Sequence, residues 1–385
     1  MEEVSMATIR KRELPSGKIA WLASYTDGGG KRRFRQFATR KEADAFLTRA
    51  RSEVAHGVHI PDSQSMTVGQ AADAWLKHAE EGGLEWSTVL HYQQHVNEHI
   101  RPLIGSLRLT QVTTPRVYSF AEELRAKGRS PEMVRRAVQS LGRIFRFAKG
   151  RGLAGQNPVA DVKLKRSKRD QARVEIPTRE ELRAILGAAQ GRWRPLIVTA
   201  MFTALRASEL RGLRWSDVDL KRRVLTVRQR ADAWKRIGPP KSEAGTRDVP
   251  LAPMVVNTLR EWRLACPKGE LDLVFPSGAG QVEHHPNIIA RGWEPTQIAA
   301  GVVEMVDGKD KAGNPAKAAK GRYNFHALRH AAASMFIESG MTPKRVQAIM
   351  GHSSIIVTYD TYGHLFSDDE ADQNAMRTIE ERLLG

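Results

Sequence analysis

The sequence predicts a multidomain protein that is mainly α-helical with small β-sheets. Three observations lead there. At 385 residues the chain exceeds one ordinary core, so two or three domains are expected. From Thr67 to about Val162 every strong hydrophobic period is helical. Short alternating stretches bounded by Gly and Pro turns occur near the N-terminus and again in the third region. The domains are expected at 1–60, 66–163 and 172–385.

In the first, "KIAWLASYTDGGGKRRFRQF" reads as a β-hairpin. Trp21, Ala23 and Tyr25 alternate, "TDGGGK" supplies the turn, and Phe34 and Phe37 lie on the return strand. Thr39 and Glu42 then form a capping-box pattern at the head of a helix carrying Ala43, Phe46, Leu47 and Val54, which Gly57 suits to end. "VHIPDSQSM" looks like a linker.

Four helices follow, in "TVGQAADAWLKHAEE", "EWSTVLHYQQHVNEHI", "TTPRVYSFAEELRAKG" and "SPEMVRRAVQSLGRIFRFAKGRG". The fourth starts at Ser130 with Pro131 in its first turn. Val134, Ala137, Val138, Leu141, Ile144 and Phe145 form one stripe, and Arg135, Arg136, Arg143 and Arg146 lie largely off it. That basic face suits either water or a polyanion. "KLKRSKRDQARVEIP" has no apolar period and reads as a basic linker.

The third region opens with a second capping box, Thr178 with Glu181, and a stripe of Leu182, Ile185, Leu186 and Ala189. "RPLIVTAMFTAL" is apolar all round, as a helix at a domain's centre is. "RRVLTVRQ" and "TRDVPL" read as short strands with "IGPPKSEAG" between them. The remainder is expected to be helical apart from a polar excursion, "VDGKDKAGNPAKAAKG". No internal repeat is present.

Composition narrows the function classes. No apolar run approaches membrane-spanning length, and no apolar segment follows the charged N-terminus as a secretory signal requires. A single cysteine, Cys266, excludes an internal disulfide and suits a reducing compartment. The net charge of +18 favours a polyanionic partner, most often nucleic acid. The charge is segregated: residues 101–170 carry 17 Lys/Arg against 5 Asp/Glu, whereas residues 66–100 carry 1 against 5.

Five stretches in the third region carry chemistry: "TALRASEL" with Arg206, "PPKSEAGTRDVPL" with Lys241, "FHALRH" with His326 and Arg329, "MGHSS" with His352, and "DTYGH" with Tyr362. Two arginine forks grip the oxygens of one phosphate and stabilise charge growing on it. A lysine and a histidine move protons to and from leaving or attacking oxygens. A tyrosine is a reversible covalent nucleophile, since an incoming hydroxyl displaces it from phosphate. Such a set exchanges the ester partner of a phosphodiester with no metal, no ATP and no other cofactor.

Singly, each residue has a plainer reading. Arg206 is spaced to pair with Glu209, and Lys241 is simply exposed in a polar loop. His326 and His330, four apart, suit a metal, but Ala327 stands where a metalloprotease has glutamate, and no carboxylate cluster completes the site. His330 is taken as packing or support, and the adjacent His284 and His285 as incidental. Tyr359 and Tyr362, three apart, also suit two core aromatics.

The order and context of the five stretches resemble the tyrosine recombinase (phage integrase) family, over roughly residues 172–385. The N-terminal hairpin and helix resemble that family's arm-type DNA-binding domain, and the basic helical region its SAM-like core-binding domain. The resemblance implies a site-specific DNA recombinase acting through a 3′-phosphotyrosine intermediate, and the integration or excision of a phage or other mobile element. Arg206 and Arg329 would clamp the scissile phosphate and Lys241 would protonate the leaving 5′-oxygen. His326 would act in proton transfer, His352 would hydrogen-bond the phosphate, and Tyr362, ten residues after His352, would attack. Tyr359 is read as packing or as a neighbour of the site. Three positions depart from the family pattern: Ala204 stands for a usual glycine, Ala327 for a frequent aspartate, and Met350 for a usual leucine. Lys235 lies close enough in sequence to compete with Lys241.

The residues expected to meet DNA are Lys31, Arg32 and Arg33 in the hairpin, Arg135, Arg136, Arg143 and Arg146 on the fourth helix, and Lys163, Lys165 and Arg166 at the linker. The implied partners are double-stranded attachment sites and DNA-bending accessory proteins, in the cytoplasm at the nucleoid. One site cuts one strand, so recombining two duplexes implies a homotetramer. The tail "SDDEADQNAMRTIEERLLG", with Ala371, Met376, Ile379 and Leu383 as a helical stripe, would dock on a neighbouring protomer. Two rival readings are a non-catalytic DNA-binding regulator, since "MTPKRVQAIMGHSS" resembles a helix-turn-helix, and a metal-dependent nuclease.

Overall fold

Local signals in the first 60 residues build a sheet with one helix packed on it. The computed structural model describes residues 7–55, 57, 59–164, 175–309, 315–366 and 369–384, and the chain divides into two compact units, 1–172 and 173–385. Strands β1 (Thr8–Glu13), β2 (Ile19–Thr26) and β3 (Arg32–Phe37) form an antiparallel sheet in that order. The β2–β3 hairpin forms with Trp21 opposite Phe37. Asp27 organises its turn, accepting from the Gly29 and Lys31 amides at 3.1 and 2.9 Å and from Arg33 Nε at 2.7 Å. Strand β1 lies outside the expected hairpin: "TIRKRE" is mostly exposed and has no alternation to read.

Helix α1 (Arg40–Ala55) carries the expected capping box, with both Thr39–Glu42 bonds at 3.2 Å. It buries Ala43, Phe46, Leu47 and Ala50 against Ala23 and Tyr25. The stretch expected to be a linker is instead packed. His59 bonds Tyr25 Oη and Glu53, each at 2.9 Å, and Asp62 pairs with Arg35 at 2.8 Å. Its polar side chains find partners inside the unit, which an apolar pattern does not reveal.

The four expected helices of this unit form. They are α2 (Val68–Glu81), α3 (Trp86–His95), α5 (Thr114–Ala126) and α6 (Pro131–Gly150), with α3 running through a π turn (Val96–Ile100) into α4 (Arg101–Ile104). Ser130 caps α6 by accepting from the Met133 amide at 3.2 Å. All six stripe residues of α6 are buried with Trp75, Ile100 and Phe120. Each large side chain so buried contributes roughly 1.5–3 kcal/mol. The basic linker lies mostly outside the described residues.

The second unit begins with α7 (Arg179–Ala188), whose Thr178–Glu181 capping box closes at 3.2 and 2.8 Å. Helix α8 (Trp193–Thr203) is central and almost wholly buried, as its all-round apolarity predicts. After α9 (Ala207–Gly212) come β4 (Val218–Asp219), β5 (Val224–Val227), β6 (Arg230–Ala231), β7 (Ile237–Gly238) and β8 (Arg247–Pro250). They form the antiparallel sheet β4-β5-β8 and the separate hairpin β6-β7. Helices α10 (Pro253–Ala265), α11 (His285–Asn287) and α12 (Glu294–Ala299) lead to β9 (Val303–Lys309) and β10 (Pro315–Gly321).

The described residues of the polar excursion lie in two antiparallel strands, with Val303 opposite Gly321. Met305 at 58% exposed and the Lys320–Glu304 pair across the strands explain why no buried face marks it in sequence. The expectation that everything else here is helical also fails at 267–283, where the chain is irregular with two isolated bridges. Helices α13 (Ala327–Glu338), α14 (Pro343–Met350), α15 (Ile355–Tyr362) and α16 (Asp369–Leu384) complete the unit. Met376, Ile379 and Leu383 on α16 are exposed; the Ala371 side chain lies outside the described residues. Among the described residues, no helix is long and apolar enough to cross a membrane.

Candidate active site

The site is organised around the C-terminal end of α14. The last carbonyls of a helix lack intrahelical partners and carry the negative end of its dipole. Here three successive ones are each taken by a different arginine. Arg247 Nε donates to the Ile349 carbonyl, Arg329 Nη2 to that of Met350 at 2.7 Å, and Arg206 Nη2 to that of Gly351 at 3.3 Å. Gly351 turns the chain with φ 65°, and a Cβ there would lie 2.8 Å from Arg247 Nη1 and 3.0 Å from the Ala244 carbonyl. Only glycine meets both demands.

Arg206 stands at the head of α9 and Glu209 one turn on. Glu209 accepts from the Arg206 amide at 2.9 Å and from its Nη1 at 2.8 Å, and its second partner is Arg247 Nη2 at 2.8 Å. The plain ion-pair reading of Arg206 and its place in a constellation therefore both hold. Burial alone would raise the Glu209 pKa; the hydrogen bond and charge of Arg247, with Arg206, outweigh it and hold the carboxyl below its ordinary value.

Arg329 is 3% exposed, and its Nη1 donates to the carbonyl of Ala204. Ala204 ends α8 in the left-handed region at φ 54°, which is why a glycine suits this position. Burial first, and then the Arg206 guanidinium, push Arg329 down to about 9. A cation destabilised in this way gains from any anion that reaches it.

Lys241 follows β7, exposed on the loop to β8, and lines one cleft with Arg206, Arg230, His352 and Ser353. Lys235 sits in the β6–β7 turn and does not line that cleft. His352 is buried with Nδ1 2.9 Å from Thr358 Oγ1. Burial, then Arg329, Arg206 and Arg247, push it down to about 4. His326, just before α13, lines a second cleft with Arg329, Trp293 and Phe325. Part of its side chain reaches solvent, yet desolvation of the ring, then His330, Arg329 and Arg206, lower it to about 4.

The two tyrosines separate cleanly. Tyr362 is 1% exposed, packed among Ala204, Ala332, Ile337, Val346 and Met350. Its Oη lies 2.7 Å from His330 Nδ1, and burial pushes it up to about 12 against a smaller opposing pull from Arg329. Tyr359 is 49% exposed, its ring 5.9 Å from Phe366, so it is not a core residue. His330, read from sequence as packing or support, meets the Tyr362 hydroxyl. Its only sequence signal is the four-residue step from His326, which puts both on one helical face.

In the first unit, Arg135, Arg143, Arg146 and Lys163 line one cleft beside α6. Arg135 and Arg136 also pair with Glu132, and the Arg143 guanidinium lies 5.0 Å from the Tyr92 ring centroid. Arg33 is tied to Asp27, Arg32 lies over Phe34, and Lys31 is exposed at the turn. Lys165 and Arg166 lie outside the described residues. Among the described residues, no group of three or more His, Cys, Asp or Glu side chains is placed to hold a metal ion.

Comparison with known proteins bears on the family. Residues 177–368 match the phage integrase family and residues 68–165 the phage integrase central domain. The chain is 25% identical to a tyrosine recombinase XerC-like protein of Caldanaerobacter subterraneus subsp. tengcongensis, over 90% of each chain. It is 26% identical to a putative prophage phiRv2 integrase of Mycobacterium tuberculosis, over 90% of this chain and 88% of that one. Among solved structures, the Tn1549 transposon integrase in complex with a circular intermediate DNA superposes with a TM-score of 0.66 at 22% identity, covering 82% of this chain and all of that one. A lambda integrase tetramer bound to a Holliday junction gives 0.58 at 20%, covering 96% and 97%. The two family matches, with the shared fold, place this chain in the phage integrase family of tyrosine recombinases.

Proposed function

We propose that this site-specific recombinase cuts and rejoins DNA by attack of Tyr362 Oη on a phosphate held by Arg206 and Arg329. Lys241 protonates the leaving 5′-oxygen, His352 hydrogen-bonds a phosphate oxygen, and His326 acts in proton transfer. The observation that carries this reading is the meeting of Arg206 and Arg329 on the neighbouring carbonyls of Met350 and Gly351. Two guanidiniums fixed to one helix end present their remaining N–H donors together, and a preorganised donor of this kind typically contributes on the order of 100- to 1,000-fold in rate. His326 and His352, both at about 4, are neutral at physiological pH and free to exchange protons or donate N–H bonds. The protein–phosphate ester retains the energy of the broken strand, so no cofactor is required.

The domains are assigned as 1–60 for arm-type DNA, 66–163 for core DNA and 172–385 for catalysis. The family matches at 68–165 and 177–368 support the last two. The basic cleft beside α6 suits the phosphate backbone of duplex DNA. One site cuts one strand, so the working assembly is a tetramer on two duplexes at the nucleoid, as in the lambda integrase tetramer bound to a Holliday junction. The phage relatives favour a mobile-element substrate. The regulator reading has no use for a tyrosine hydroxyl buried on a histidine beside an arginine pair, and the relatives lend it no support. The test is cleavage of a nicked suicide substrate with and without excess chelator. A covalent adduct is expected in both; loss in chelator that magnesium restores would defeat the mechanism.

A further inference from the structure

A hydroxyl as enclosed as that of Tyr362 needs a partner inside the protein. His330 Nδ1 supplies it at 2.7 Å. His330 lies on α13 directly after Arg329 and one turn after His326, and the two imidazoles meet edge to face with centroids 4.9 Å apart. The roles within this pair differ by position. His326 lines the open cleft, whereas His330 faces the phenol. Burial, with the charge of Arg329, holds His330 below its ordinary pKa, so it is neutral and has a lone pair to offer. The phenol is protonated at neutral pH, and with His330 in its Nε2–H tautomer the phenol donates its single hydrogen to Nδ1.

We propose that His330 is the immediate proton acceptor for Tyr362 and the residue that positions its hydroxyl, with His326 serving elsewhere in the site. As Oη bonds to phosphorus, the O–H bond breaks and its proton passes to Nδ1. The bond from phosphorus to the 5′-oxygen breaks with its electron pair, and that oxygen takes a proton from Lys241. Rejoining runs in reverse: the incoming 5′-hydroxyl gives its proton to Lys241, and Tyr362 leaves phosphorus and recovers its proton from His330. The inference rests on Tyr362 being the nucleophile.

The experiment compares native protein, His330→Gln, Lys241→Ala and Tyr362→Phe in single-turnover cleavage at saturating protein. Two suicide substrates are used, one ordinary and one with sulfur in place of the bridging 5′-oxygen. A thiolate leaves without a proton, so the sulfur substrate removes the need for an acid but not for a base. His330→Gln, which can hydrogen-bond but not accept the proton, is expected to keep its thermal midpoint and DNA affinity. It should cleave both substrates on the order of 100-fold or more slowly than native protein, while Lys241→Ala recovers on the sulfur substrate. Should the glutamine variant not fold, His330→Asn is read the same way. Cleavage by the His330 variant within about threefold of native, a margin well below what general-base catalysis contributes, would leave His330 a structural partner only and overturn the proposal. Recovery of that variant on the sulfur substrate would move its role to the leaving group and overturn it equally. An adduct formed by Tyr362→Phe would instead defeat the nucleophile assignment, a separate outcome.

Discussion

The arginines of α6 and those around α14 carry the same charge in opposite settings. On α6, Arg143 and Arg146 are exposed, and Arg136 pairs with Glu132 one turn away, on a surface where water competes for every bond. Around α14, Arg329 and Arg247 are buried at 3% and 9% exposure and fixed by backbone carbonyls and Glu209. Exposed ion pairs contribute about 0–1 kcal/mol, so the α6 arginines can release their partners to meet a phosphate. In the proposed mechanism the buried set is fixed before a phosphate arrives, and fixed donors lower a barrier because they need not reorganise. Mobile charge suits capture; fixed charge suits chemistry.

The strongest way to break that contrast is Arg329→Ala. It removes a fixed donor and leaves the Ala204 and Met350 carbonyls unpaired. Single-turnover cleavage should fall on the order of 100- to 1,000-fold, and chemical denaturation should show a loss of roughly 1–3 kcal/mol for each stranded carbonyl. Unchanged cleavage would remove the distinction between the two arginine sets.

Buried histidines sharpen the comparison, because each unit holds one at about 4. His95, 6% exposed and bonded to Ser140 at 2.9 Å, is lowered first by burial and then by His99; His352 is lowered first by burial and then by Arg329. Both folded values lie below the unfolded value of about 6.5. The unfolded chain therefore binds more protons between those limits, and the stabilising contribution is complete above pH 6.5 and lost as pH falls toward 4. Denaturation of the full chain should show lower stability at pH 5 than at pH 7. His95→Leu should shrink that drop by about 1–2 kcal/mol, since one pKa unit corresponds to about 1.4 kcal/mol. A pH profile identical to native would show that His95 is not held neutral.

Substituting Arg143 and Arg146 together by alanine should weaken DNA binding and reduce the salt slope by about one for each phosphate left without its arginine. Cleavage at saturating DNA should stay near native. Fluorescence anisotropy across a salt series reads the first and a quench assay the second; a large loss of cleavage at saturation would contradict the division of labour. The smallest effect is expected from Ala204→Gly. Relief of φ 54° and loss of a buried methyl, each about 1 kcal/mol and opposite in sign, should leave the thermal midpoint nearly unchanged.

Legibility in the sequence follows periodicity. The Thr39, Thr178 and Ser130 helix starts, the α6 stripe and the buried α8 all come from patterns that repeat at helical spacing, and all form. Strands β1 and β9–β10 do not announce themselves because their side chains lack an alternating buried face. The candidate site residues are picked out by residue type, order and family resemblance, but their arrangement is not. Arg247 sits inside a stretch that reads only as a strand, and nothing in sequence tells that its guanidinium reaches the end of α14. The partner of His330, read only as packing or support, escapes for a related reason: spacing puts His330 on the same face as His326 but says nothing of what that face meets. Contacts between residues far apart in sequence are set by packing, which local patterns do not encode.

The proposed chemistry depends most on which tyrosine bonds to DNA. Native protein incubated with a nicked suicide substrate should give a protein–DNA adduct on a denaturing gel, and peptide mapping should locate the phosphotyrosine at Tyr362. Tyr362→Phe should bind DNA and give no adduct, whereas Tyr359→Phe, altered at a ring 49% exposed to solvent, should still cleave. An adduct that maps to Tyr359, or that persists in Tyr362→Phe, would contradict the mechanism.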